Sequence, residues 1–189
     1  MSVLVPQHYA LSEAVVAVVG AFAIARATRV SHWFAAGIAP FAFAALVGTI
    51  RISAGLTGSI EHIHQVLSRH GALFGLGCLV GVLAARNAWL PPALGVAAAA
   101  LAVLAPGAAS PVFALLILLG AIFAYRANPG RAPLAGASFA FLLVARLATD
   151  PLRAFLPALA WHSFHLAVAL WLLLQATVVL SGRKHGPAF

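Results

Sequence analysis

Residues 157–180 read PALAWHSFHLAVALWLLLQATVVL. No Asp, Glu, Lys or Arg interrupts them. As a helix this stretch is roughly 36 Å long, more than the ~30 Å hydrocarbon core of a bilayer. It lacks the strict apolar/polar alternation of a membrane barrel strand. Two histidines, His162 and His165, sit three apart near its start.

The same texture recurs towards the N-terminus. Of the 189 residues, 63% are hydrophobic and only 7% are charged. Soluble domains carry about 25% charged residues, so this composition cannot build a water-facing surface. Seven spans are predicted, at 9–26, 33–53, 60–85, 90–105, 111–126, 133–149 and 157–180. Pro40 is expected to kink the second, and Pro91-Pro92 suits the first turn of the fourth. Asp150-Pro151 stops the sixth. No linker separates two units, so residues 1–189 read as one all-α polytopic domain. The stretch before the first span has no basic region, so that span is read as retained and not as a cleaved signal peptide.

The formal net charge is +8. In this context it reads as loop arginines, not as a nucleic-acid footprint. Arg26, Arg29, Arg86, Arg126, Arg131, Arg183 and Lys184 fall at alternate loops and the C-terminal tail. The positive-inside rule then predicts an outside N-terminus and an inside C-terminus, in a bacterial inner membrane. The single cysteine, Cys78, excludes a disulfide or a cysteine metal site within one chain.

The remaining polar residues gather on the opposite side. Glu13, Glu61 and Asp150 are the only acids. With them lie Arg51, Arg69, Arg146 and Arg153, and His8, His62, His64, His162 and His165. Ionisable groups at membrane depth are costly and usually pair or serve function. Helical spacing puts Glu61, His62, Gln65, Ser68 and Arg69 on one face of the third span, with His70 pointing away. Arg146 and Asp150, four apart, are placed to pair. His62, His162 and His165 form a candidate zinc ligand set, with Glu61 or Asp150 accepting a proton from bound water. Arg51, Arg69 and Arg146 are candidates to receive an anionic group of a substrate.

Two stretches carry a family likeness. Residues 160–168, AWHSFHLAV, resemble the opening of the last helix of the superfamily of alkaline ceramidases, progestin/adipoQ receptors and hemolysin III-like proteins. Residues 45–51, ALVGTIR, resemble the end of that family's second helix. The resemblance implies seven helices and a zinc-dependent hydrolase acting on a lipid or lipid-like amide. It carries over His165 as a zinc ligand and His162 at a changed spacing of three, with His62 in place of the family's second-helix histidine and Glu61 near its third-helix aspartate. Glu13 fits the first helix more loosely.

Three other functions suit the same residues. One is a haem b or quinone redox protein, with His70 as an axial ligand opposite His162 or His165. Another is a small-solute transporter, cut as three plus one plus three helices, with Arg51 and Arg146 ending the second helix of each triplet. The last is a non-catalytic membrane subunit packed through its Gly and Ala residues. The bilayer is the expected partner in each, and the oligomeric state is left open.

Overall fold

A computed structural model describes residues 6–84 and 87–180. All regular structure among them is helical. We label the long elements α1 (Tyr9–Ala27), α2 (His32–Ser53), α3 (Ser59–Ala84), α4 (Leu90–Leu104), α5 (Ala109–Ala127), α6 (Ala132–Thr149) and α7 (Pro157–Val179). Helices are found at the places of the seven expected spans. Six of the seven are long and apolar enough to cross a membrane. The exception is α4, whose 15 residues give about 22 Å.

Local sequence explains the boundaries. The Ser31 side chain accepts a hydrogen bond from the Phe34 N–H and starts α2. Pro91 and Pro92 open α4, where their missing N–H groups cost nothing. Asp150-Pro151 turns the chain out of α6 into a short 3-10 turn. Pro40 lies inside α2 as expected. Two features were not foreseen: α3 contains a π-helical segment at Leu67–Gly71, and α7 ends in another at Gln175–Val179.

The packing order is simple. Helix α1 packs on α2, α2 on α3, α3 on α5, α5 on α6, α6 on α7 and α7 back on α1. The six long helices therefore close a ring, and α4 lies outside it against α3. This order divides the chain into two triplets, α1–α3 and α5–α7, with α4 as the connection.

Small residues set the close approaches. A Cβ on Gly77 would lie 2.6 Å from the Leu94 carbonyl oxygen, and one on Gly81 2.6 Å from the Pro91 Cα. This pair, four apart, lets α4 touch the α3 backbone. Inside the ring, Trp171 is fully buried, with Phe41 at 4.9 Å and Phe139 at 6.0 Å between ring centroids. Both rings meet it edge-on, a favoured aromatic geometry. One helical turn away, Gln175 donates to the Ser138 hydroxyl at 3.1 Å and ties α7 to α6.

Arg26, Arg29, Arg126 and Arg131 all fall at one end of the ring, at the α1–α2 and α5–α6 connections. Arg86, Arg183 and Lys184 lie outside the described residues. The other end holds the acids and most histidines, and is called the site end below.

Candidate functional site

Three helices converge on one carboxylate. Glu13 lies on α1, in a run otherwise made of small and apolar side chains, and is only 2% exposed. Its Oε1 lies 3.2 Å from Nε2 of His165 on α7 and 3.4 Å from Nε2 of His64 on α3. Helix α2 stands between α1 and α3, and Gly48 opens the way across it. A Cβ at that position would come within 2.8 Å of Glu13 Cδ, Glu13 Oε1 and His64 Nε2. Gly48→Ala is therefore expected to push the carboxylate and His64 apart. Overpacking of this kind costs about 1–3 kcal/mol, read as a lowered thermal midpoint. Gly48→Ala with an unchanged midpoint would contradict the contact.

The hydrogen-bond partners fix where a proton must sit. Nδ1 of His165 is 2.7 Å from the Trp161 carbonyl oxygen. A carbonyl only accepts, so Nδ1 carries the hydrogen. In the neutral ring Nε2 is then a bare lone pair, facing Oε1 at 3.2 Å. A bare nitrogen against an ionised carboxylate would be repulsive. The pair is consistent only with an added positive charge between them: a proton, on Glu13 or on His165, or a cation. His64 needs no such charge, because its Nε2 can carry the hydrogen of a neutral ring. Oε1 itself has no well-aligned hydrogen bond, so these contacts are mainly electrostatic.

A second layer supports the first. Ser12 donates to the Tyr9 carbonyl at 3.2 Å and takes Nδ1 of His162 at 3.0 Å. Trp161 stacks on His165 at 4.4 Å and on Tyr9 at 5.1 Å, and its Nε1 donates to the Tyr9 carbonyl. The His8 ring lies 5.4 Å from His162. These contacts hold the start of α7 against the start of α1.

Two ion-paired groups rim the site end. Arg51, 8% exposed at the end of α2, meets Glu61 at 3.5 Å, and its buried Nε has no partner. Asp150 is held by Arg146 at 2.9 Å and Arg153 at 3.4 Å. The expected Arg146–Asp150 pairing is thus present. Arg146 also lies over the Phe164 ring at 5.7 Å.

The structure distributes the residues singled out from sequence as follows. His165 is in the centre, but His162 is one layer away with Ser12, and His62 is exposed on α3. Among the described residues, no group of three or more His, Cys, Asp and Glu is arranged to hold a metal ion. Glu61 and Asp150 face arginines. His70 lies in the α3 π-segment with a buried, unpartnered Nδ1, while His162 and His165 are occupied elsewhere. Arg69 is exposed.

Sequence reasoning gave too little weight to Glu13 and His64. The usable signal for Glu13 was its isolation as the one acid of the first span. Comparison with family models, curated proteins and solved structures finds no match. The class that fold and site define is therefore the coarse one: a helical bundle, consistent with an integral membrane protein, with a buried carboxylate between two imidazoles.

Proposed function

We propose that this chain is a proton-coupled membrane carrier of a small solute, with Glu13, His64 and His165 as its coupling centre. The observation that carries the reading is the convergence of both triplets on one buried carboxylate. His64 comes from the third helix of the first triplet and His165 from the third helix of the second. Parallel repeats facing each other across a shared site are a recurrent carrier architecture. The ring order supports it, because α4 stands aside and leaves α1–α3 opposed to α5–α7.

Rocking needs compliant helices as well. Pro40 alone is a thin supply of hinges, but the third helix of each triplet also carries a π-segment. Such segments break the regular ladder and often mark functional positions. In this reading, one proton holds Glu13 and His165 together across the triplet boundary. Its loss leaves a lone pair facing a carboxylate and weakens the contact, so proton release and reorientation are coupled. We place the site end outside, in a bacterial inner membrane, because the described loop arginines gather at the other end.

The test is uptake into proteoliposomes under an imposed pH gradient, across a panel of small neutral and anionic solutes. At least one solute should accumulate only with the acid side facing the site end. Uptake of none, or uptake indifferent to the gradient, would contradict the reading.

One observation favours a second reading, the zinc-dependent hydrolase of a lipid amide. A histidine that donates Nδ1–H to a backbone carbonyl and aims a bare Nε2 at a carboxylate is oriented as metal-bound histidines are. Zinc retained at about one ion per chain, and lost in His165→Ala, would favour this reading over the carrier.

A further inference from the structure

We propose that Trp171 and Gln175 form a binding site for a single hydroxyl group, that of a water molecule or of a small alcohol, where the two triplets meet. The proposal rests on the carrier reading only for an alcohol's being carried, not for a hydroxyl's being bound.

Two orphaned atoms carry the argument. Both side chains are fully buried. Trp171 Nε1 and Gln175 Oε1 have no hydrogen-bond partner among the described residues. An indole N–H only donates and an amide oxygen only accepts. Leaving either unpaired in a core is costly, and nearly all such groups are paired with protein or with water.

The surrounding network fixes which amide atom is left over. Ser138 donates its one hydrogen to the Ala135 carbonyl oxygen at 2.7 Å. Its oxygen must therefore accept from Gln175, and only the amide NH2 can donate, at 3.1 Å. Turning the amide over would set two acceptors against each other. Oε1 is thus the atom without a partner.

Helix α7 puts the two atoms on one face. The backbone N–H of Gln175 reaches the Trp171 carbonyl oxygen, so the turn between them is α-helical, and the π-segment runs from Gln175 onward. Residues four apart share a face, and helical side chains lean towards the N-terminus. The Gln175 amide therefore leans towards the Trp171 ring. Consecutive residues of α6 receive them, Ser138 the amide and Phe139 the ring.

The chemistry of the joining group follows. It must accept from the indole N–H and donate to the amide oxygen. An anion has no hydrogen to donate, and a metal ion has no lone pair to offer. A hydroxyl does both at once. Water would also have the second lone pair of Ser138 Oγ, giving the three bonds usual for a buried water. The place suits a carried solute as well. Trp171 meets Phe41 of the first triplet and Phe139 of the second, six residues along α7 from His165, roughly 9 Å. Repeat-built carriers bind their solutes at the repeat interface. The substrate class this names is a small neutral alcohol.

The experiment uses the full chain in neutral detergent. X-ray hydroxyl-radical footprinting in heavy-oxygen water marks buried side chains that touch a bound water. Ultraviolet resonance Raman reads whether an indole N–H is hydrogen-bonded, and subtracting the Trp171→Phe spectrum isolates Trp171. The Trp171 N–H should be bonded, and Trp171 should take up the label while the equally buried Phe34 takes up none. Gln175→Leu, which removes the acceptor, should lower the Trp171 label roughly fivefold or more. Ethylene glycol is the alcohol probe. A label lost while the N–H stays bonded assigns the hydroxyl to the solute, and a label retained assigns it to water alone. A free N–H in the wild type would overturn the proposal. So would a bonded N–H with no label in glycol-free buffer, which means a direct bond to Gln175, or a label unchanged in Gln175→Leu. A site that passes these tests while gradient-driven uptake fails would stand without the carrier.

Discussion

Replacing Glu13 by glutamine is expected to abolish gradient-driven uptake while leaving the protein folded. The carboxamide has nearly the same shape, and its NH2 can donate to the bare Nε2 of His165, so the α1–α7 contact survives without an exchangeable proton. Positioned proton transfer contributes about 10²–10⁴-fold to rates, so a loss of roughly a hundredfold or more is expected in proton-coupled flux. Uptake along a solute gradient alone should fall much less. Glu13→Ala tests the same centre more harshly, because it leaves two imidazoles facing a void. If Glu13→Gln retains wild-type accumulation under a pH gradient, the centre does not couple protons.

The largest effect on stability is expected at Trp171. Its side chain fills the middle of the ring, fully buried between Phe41 and Phe139. Lipid tails are as apolar as the core, so transfer from water contributes little to helix association in a bilayer. The cost of Trp171→Ala therefore comes mainly from the cavity and the two lost edge-on aromatic contacts. About 3 kcal/mol, the low end of large-to-alanine costs in soluble cores, is expected. Unfolding in mixed detergent micelles would show it as a markedly lowered midpoint. Trp171→Phe should recover part of the loss. An alanine variant as stable as the parent would mean that the ring is not closed round this residue.

The fold was legible because its determinants are local. Span 157–180 and its counterparts declare themselves by length and apolarity, and Pro91, Asp150-Pro151 and the loop arginines mark the turns. The status of α4 was less legible, since its shortness was visible but its position outside the ring depends on Gly77 and Gly81 meeting Leu94 and Pro91. The π-segments were not legible, because no proline or glycine pair announces them.

The site was legible by residue type and by helix, not by partner. His165 was placed correctly at the start of α7, and Arg146 was correctly matched to Asp150 four residues on. Grouping His62 with His162 and His165 relied on depth along the helices. It did not account for rotation about each axis, which turns His64 inward and leaves His62 exposed. The missing information was Gly48. One absent side chain on α2 lets His64 reach a carboxylate on α1, and spacing within α3 carries no trace of it.

The central claim is that Glu13 and His165 hold a shared, exchangeable proton inside the bundle. Infrared difference spectroscopy between acid and alkaline pH, on the purified full chain and on Glu13→Gln, tests it most directly. The wild type should show a carboxyl or imidazole band pair that changes with pH, and both Glu13→Gln and His165→Gln should remove it. Superimposable difference spectra for the wild type and Glu13→Gln would contradict the claim.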